Sequence, residues 1–281
     1  MLNGIDNDSA GRTETILKDD EGPLPQLCQK IHARVHAFIN AEPGNERLRA
    51  VQEQTRLSLR IIEEALDRYS LDDLSISYNG GKDCLVLLVL YLCALHTHFN
   101  PTPLSTTITT SKPHRSTLPQ TLNSVYILAH DPFPEVDTFV TSSTKTYHLS
   151  LSRYQKPMRE AFTSYLHDEP SIRAIFVGTR RTDPHGAELQ YFAPTDHGWP
   201  DFMRIHPVID WRYADVWTFI RHIGIPYCGL YDMGYTSLGG LGDTEKNPVL
   251  AVDGGAAGFR PAYELVEDED ERLGRVVAEK R

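Results

Sequence analysis

The chain has 281 residues, 40% of them hydrophobic and 23% charged, enough apolar content to bury a core without disulfide staples. That length exceeds one usual domain of about 100–200 residues, so one large α/β unit with extensions and a two-domain chain both fit. A net charge of −10 argues against tracking a nucleic-acid backbone, which needs clustered Lys and Arg, but not against a small anionic ligand held by a few local donors.

In chain order, residues 1–24 are polar and carry Gly, Asp and Pro, the composition of a flexible leader. Asn3, Asp6 and Asp8 stand where a signal peptide would be apolar, and Cys28, Cys84, Cys93 and Cys228 form no CxxC pair. Both features fit a reduced, cytoplasmic protein. Helical spacing predicts helices over Gln26–Asn40 and Glu46–Tyr69, split by the breaker Glu42-Pro43-Gly44. Leu74–Tyr78 then reads as a strand and Leu85–Leu95 as a helix apolar on all sides, hence buried. That run falls short of a bilayer span, so no membrane partner is expected. Further strands are predicted at Val125–Ala129, Tyr147–Leu151, Ala174–Gly178 and Met203–Val208. Between and after them lie a helix opened by Pro134, one holding Met158, Phe162 and Leu166, and one over Tyr213–Ile223. His96–Ser124 is rich in Ser, Thr and Pro without periodicity, which marks a flexible insertion.

Strands alternating with helices imply an α/β fold, a mainly parallel sheet with helices on both faces. N-terminal helices precede it and a C-terminal tail follows; the main unit would run over 25–240 and the extension over 241–281. Ligands of such sheets lie beyond the carboxyl ends of the strands, so the turns after Tyr78, Ala129 and Gly178 are where chemistry is expected.

The first of those turns reads Ser77-Tyr78-Asn79-Gly80-Gly81-Lys82-Asp83-Cys84. The glycines let the backbone turn its N–H groups inward, and the helix start beyond them adds a partial positive charge. Ser77, Asn79 and Lys82 add donors for phosphate oxygens. It is no Walker A loop, because Ile76 stands where the first Gly would fall and Asp83-Cys84 replaces the Lys-[Ser/Thr] ending. A second polar turn, Gly178-Thr-Arg-Arg-Thr-Asp-Pro-His-Gly186, follows the fourth strand. Its two arginines suit phosphates, and an Asp-Pro turn suits a flat heterocycle with alternating donors and acceptors. HPVIDW (206–211) and LYDMGYTSLG (230–239) follow downstream.

The first loop resembles that of the PP-loop ATP pyrophosphatases, the adenine nucleotide alpha hydrolase-like enzymes that cleave ATP between its α and β phosphates. The four motifs in this order, over roughly residues 50–275, resemble the eukaryotic FAD synthetases, a branch related to the PAPS reductases. The chain is similar to the shorter, fungal-type form, without the molybdopterin-binding-like domain of animal versions. The resemblance implies transfer of AMP from ATP to FMN, giving FAD and pyrophosphate, by in-line attack of the FMN phosphate on the α-phosphorus. It implies an ATP site at Ser77, Tyr78, Asn79, Gly80, Gly81, Lys82, Asp83 and Cys84. It implies an FMN site at Gly178, Arg180, Arg181, Asp183, Pro184, His185 and Gly186, with Trp211 and Tyr231 lining it. Catalytic roles would fall to Asn79, Asp83, Asp183, Arg272 and Arg275, and Arg180 or Arg181 would face a phosphate. Mg²⁺ would bridge the phosphates with Asp83 as a protein ligand and few others, since it keeps its waters. Arg272 and Arg275, three apart, would share one face of a helix and reach back over the phosphates.

Plainer readings stand beside these. His32 and His36 have zinc-like spacing without a third ligand, Trp211 and Trp217 have core spacing, and Cys84 suits packing. The acidic run Glu264–Glu271 reads as solvated. A sulfonucleotide reductase would need a cysteine beyond Cys228, an RNA-modifying relative a basic face, and a non-catalytic flavin or nucleotide sensor no intact loop. Partners are therefore expected to be nucleotides and flavin, with no nucleic acid; nothing in the sequence sets an oligomeric state.

Overall fold

The apolar stripes of two leading helices build the outermost layer. In the computed structural model, which describes residues 22–101 and 117–276, α1 (Leu24–Asn40) buries Leu27, Ile31, Val35 and Phe38, and α2 (Glu46–Arg68) buries Val51, Leu59, Ile62 and Leu66. Asn45 caps α2 by accepting the Leu48 N–H at 2.9 Å. Gln52 donates to the Phe38 and Ala41 carbonyls at 2.8 and 3.0 Å, satisfying groups the end of α1 leaves open.

β1 (Leu74–Ser77) leads into α3 (Lys82–Phe99), in which every residue from Leu85 to Leu95 is buried. By length and composition α3 would cross a membrane, and it is longer than its apolar run suggests. Here it is a core helix, lying against α1, α2 and α6 (Tyr213–Ile223), with Tyr91 on Phe176 of the sheet at 4.8 Å. β2 (Leu122–Ile127), α4 (Pro134–Thr146), β3 (Leu149–Tyr154), α5 (Met158–Asp168), β4 (Ala174–Phe176), β5 (Phe192–Pro194) and β6 (Met203–Ile205) complete the elements. The six strands run in the order β3-β2-β1-β4-β6-β5, all parallel except β5 against β6. On the face opposite α3, Phe162 and Tyr165 of α5 pack on Val125 and Ile175, and the Tyr165 and Ser75 hydroxyls meet at 2.7 Å. The expected parallel sheet with helices on both faces is therefore the one observed.

The differences are local. The three-residue strand β5 is too short for periodicity to show; it sits at the sheet edge, where Pro194 is tolerated. β3 starts later than expected because His148, at φ 53°, turns the chain just before it. The insertion is narrower than His96–Ser124, since 96–99 complete α3 and 122–124 open β2; residues 102–116 lie outside the described residues, as do 1–21 of the leader and 277–281. Beyond α6, Gly224 at φ 70° ends the helix, and the chain returns through short 3-10 turns to the sheet's carboxyl edge. There it forms bridges from Gly240 to Pro132 and from Thr244 to Arg275.

Candidate active site

β1 ends at Ser77 and α3 begins at Lys82, so residues 78–81 form a tight turn at the carboxyl edge of the sheet. Tyr78 is buried and its hydroxyl donates to Ser143 of α4 at 2.8 Å. Gly80 has φ +74°, and a Cβ there would approach Val140 to 2.8 Å, so the position demands glycine twice over. Asn79 Oδ1 accepts the Gly81 N–H at 2.9 Å, and the Tyr231 hydroxyl accepts the Lys82 N–H at 3.0 Å. The loop is thus shaped by two side-chain oxygens before any ligand arrives. The eighteen-residue α3 directs its positive end at it.

The second turn leaves β4 and touches the first. A Cβ on Gly178 would lie 2.9 Å from the Cys84 nitrogen, so the two backbones can meet only without one. Asp183 Oδ2 accepts the Arg180 N–H at 2.8 Å, and the Gly186 N–H is accepted by the Asp183 carbonyl at 2.9 Å. His185, at φ 65°, and Pro184 stand exposed at the tip. Arg181 donates to the Ala187 and Leu189 carbonyls, both at 3.0 Å, and pairs with Asp210.

Behind both turns lies a buried ionic quartet. Lys82 is 2% exposed, and its ammonium meets Asp83 Oδ2 at 3.0 Å and Glu271 Oε1. Arg180 is fully buried; its Nε lies 2.9 Å from Asp83 Oδ1, its Nη2 pairs with Glu271 Oε2, and its Nη1 lies 3.7 Å from Asp268. Burial opposes every one of these charges. Asp83 and Glu271 nevertheless hold the Lys82 ammonium above the usual lysine range, and Arg180 and Lys82 hold the Asp83 carboxyl below the usual carboxylate range.

The tail supplies the rest. Arg272 follows Glu271 directly and lies 3.8 Å from Asp183 Oδ1, half-exposed. Arg275 lies across Gly239, where a Cβ would be 2.1 Å from its guanidinium, and meets Asp243 at 3.2 Å. Asp131, in the loop after β2, accepts the Gly242 N–H at 3.0 Å and so ties this segment to the same edge.

The structure brings together Ser77–Cys84, Gly178–Gly186, Tyr231, Arg272 and Arg275, and it revises several individual roles. Lys82 and Arg180 point into the interior, where two carboxylates claim them; neither is presented to a phosphate here. Arg181 is spent on carbonyls of its own turn and on Asp210, leaving neither turn arginine at the cleft. Trp211 does not line it: the ring is buried against Phe219 and its indole N–H donates to Ser58 of α2 at 2.9 Å. Tyr231 is buried and supports the phosphate loop from behind. Asp83 does not fit a magnesium ligand, since each of its oxygens faces a cation, and no metal-binding group of three or more His, Cys, Asp or Glu occurs among the described residues. Burial and the neighbouring Asp83 push the Cys84 thiol up to about 12, in keeping with a packing role. Arg272 and Arg275 share no helix face, because the chain there is a series of turns.

Glu271, Thr236 and Asn247 are not among the site residues the sequence predicts. Glu271 is buried, not solvated as an acidic run suggests, and Thr236 and Asn247 hold its backbone. The available signal was arithmetic: two cations bound for the interior need two carboxylates, and the motifs supply only Asp83 beside them.

Residues 73–246 match the family model of the phosphoadenosine phosphosulfate reductase domain. A probable FAD synthase of Schizosaccharomyces pombe is 37% identical over 247 residues, covering 88% of each chain. The fold superposes on crystal structures of Candida glabrata FMN adenylyltransferase. In complex with FMN and the ATP analogue AMPCPP the TM-score is 0.81, with 28% identity, 92% of this chain and 98% of that one covered. In complex with FAD and inorganic pyrophosphate it is again 0.81, with 26% identity, 95% and 100% covered. With 37% identity to the S. pombe relative over 88% of each chain, and the family model matched over residues 73–246, the chain belongs to the FAD synthases of the phosphoadenosine phosphosulfate reductase-like family.

Proposed function

We propose that this protein transfers AMP from ATP to FMN, forming FAD and pyrophosphate. The observation that carries the reading is the contact between the two turns. Gly178 abuts Cys84, so a ligand on the phosphate loop and a ligand on the Asp183 turn share one cleft. The S. pombe relative is a probable FAD synthase, and the C. glabrata enzyme holds FMN with an ATP analogue, or FAD with pyrophosphate.

In this reading ATP lies with its phosphates against Asn79–Lys82 and the start of α3, and the flavin lies against Asp183–Gly186. FMN ends in a monoester whose second pKa is about 6, so it is mostly a dianion at neutral pH and needs no general base. Catalysis then rests on in-line placement and on neutralising charge around the α-phosphorus. Arg272 and Arg275 take that second role, because their side chains keep access to solvent at the sheet edge, whereas Lys82 and Arg180 are buried among carboxylates and Arg181 is held by its own turn and Asp210. Mg²⁺ would be held by the triphosphate and its own waters, where it would neutralise phosphate charge, and no residue of the chain is assigned to it.

The test is product analysis by HPLC after incubation with ATP, Mg²⁺ and FMN. FAD and pyrophosphate should appear in equal amounts, and riboflavin in place of FMN should give none. ADP and free phosphate as the stoichiometric products would sink this function.

A further inference from the structure

Glu271 occupies a position that neither turn motif accounts for. Its two carboxylate oxygens divide between Lys82, the first residue of α3, and Arg180, the third residue of the Gly178 turn. Its own backbone is held independently. The Glu271 carbonyl accepts the Thr236 hydroxyl at 2.6 Å, and Asn247 Nδ2 donates to Thr236 Oγ1 at 2.9 Å and to the Asp270 carbonyl at 2.7 Å. The next residue along is Arg272, 3.8 Å from Asp183, and three further on Arg275 lies over Gly239.

We propose that Glu271 is a positioning residue, a latch that fastens the C-terminal tail to both turns and thereby sets Arg272 against the Asp183 turn. The argument is one of charge and register. Lys82, Arg180 and Asp83 alone would leave one uncompensated cation in the interior, and the docked tail supplies Glu271 to both cations and Asp268 at 3.7 Å from Arg180. Buried ion pairs seldom add net stability over apolar packing of the same volume; their best-attested use is to fix register. Here the register is single-residue. A tail shifted by one position would put between the two cations either Asp270, one methylene too short to reach both as Glu271 does, or Arg272 itself. The latch therefore selects one placement for the arginine that follows it. This inference rests on the reading of Arg272 as a phosphate ligand, but the docking of the tail can be measured without turnover.

The experiment compares Glu271→Gln with wild type by steady-state kinetics and by hydrogen exchange. Glu271→Gln should lower kcat for FAD formation at least about tenfold while KM for FMN stays within about twofold. Amides in 243–247 and 268–276 should exchange at least about tenfold faster, with those of β1 and β4 unchanged. In a double-mutant cycle, Glu271→Gln with Arg272→Ala should be no slower than Arg272→Ala alone, because the latch acts through that arginine. Losses that multiply would overturn the proposal and leave Glu271 a structural residue, as would a folded Glu271→Gln protein with wild-type kcat and tail exchange. If Glu271→Gln does not fold, Thr236→Val removes the hydroxyl that donates to the Glu271 carbonyl and accepts from Asn247, leaves the quartet's charges in place, and should show the same signature at about threefold. Wild-type exchange and turnover in that variant would equally overturn the latch. Failure of the wild type to make FAD would sink the assigned reaction instead, with the exchange comparison still deciding the latch.

Discussion

The two turns of the cleft are neighbours on β1 and β4, and each sends a cation inward, Lys82 from one and Arg180 from the other, yet they use their aspartates in opposite ways. In the loop after β1 the charged side chains turn inward: Lys82 and Asp83 join the buried quartet, and the surface is left to backbone shaped by Asn79 and Tyr231. In the turn after β4 the aspartate stays half-exposed, caps its own turn through the Arg180 N–H, and faces Arg272 from the tail. Position beside a ligand edge therefore does not decide which side chains face the ligand. What decides it is which opposite charges the rest of the chain brings behind the turn.

That contrast is broken most severely by removing what both turns share. Stopping the chain after Glu264 deletes Glu271 and Asp268, strands a cation among Lys82 and Arg180, and takes partners from Thr236 and Asn247. One unpaired buried charge costs about 3–5 kcal/mol, against a total stability of about 5–15 kcal/mol for a typical protein. The truncated chain should lose most of its cooperative thermal transition, although the acidic look of the segment suggests a dispensable tail. A melting curve like that of the full chain would show that the quartet is not what holds the turns.

Single substitutions divide the turns more finely. Lys82→Met should cost about 3–5 kcal/mol in urea unfolding, since it leaves Arg180 as the one cation between the two buried carboxylates Asp83 and Glu271. Arg181→Ala, which breaks a pair with the arginine side chain 40% exposed, should cost only about 0–1 kcal/mol. Equal costs would mean that burial does not separate the two.

The fold was legible because its signals are local. The alternation of apolar strands and helices announces a parallel sheet, and the glycines at 80, 178 and 186 sit where positive φ or backbone contact leaves no room for a Cβ. Trp211 was drawn toward the site by its neighbourhood in sequence, and only the long-range bond to Ser58 shows that it belongs to the core. Glu271 was hidden for the opposite reason. Five consecutive acids read as solvated, and nothing within the run distinguishes the one that meets cations 189 and 91 residues away. The inward course of Lys82 and Arg180 was hidden with it, because a cation's direction depends on where its carboxylate comes from.

Asp183 tests the outward-facing turn. A carboxylate hydrogen-bonded to a flavin N–H contributes about 1.5–3 kcal/mol, so Asp183→Ala should weaken FMN use by roughly 10- to 150-fold and ATP use much less. Asp183→Asn sharpens the result. Its amide oxygen can still accept the Arg180 N–H, so the variant should keep wild-type thermal stability while losing most of the flavin effect. Impaired ATP affinity with unchanged FMN affinity would assign this turn to the other ligand.

The smallest effect is expected at Tyr231, and it bears on whether the inward-facing loop is complete before ATP binds. Tyr231→Phe removes one oxygen and leaves the ring packed on Trp217, 5.0 Å away and edge to face. The Lys82 N–H then loses its acceptor at the first residue of α3. A neutral hydrogen bond of this kind contributes about 1 kcal/mol, which in a chain of this size lowers the melting temperature by about 2–4 °C. If the phenol oxygen is the permanent partner of that N–H, the deficit persists at saturating ATP and KM for ATP stays within about twofold. If a phosphate oxygen displaces the phenol on binding, ATP restores the lost stability and binds the variant more tightly, because it no longer competes with Tyr231. The geometry favours the first outcome: Tyr231 reaches the N–H from the buried side, where Trp217 and the quartet leave no path for a triphosphate. Differential scanning of both proteins with and without ATP distinguishes the two, and recovery of the variant by ATP would show that the loop is finished by its ligand.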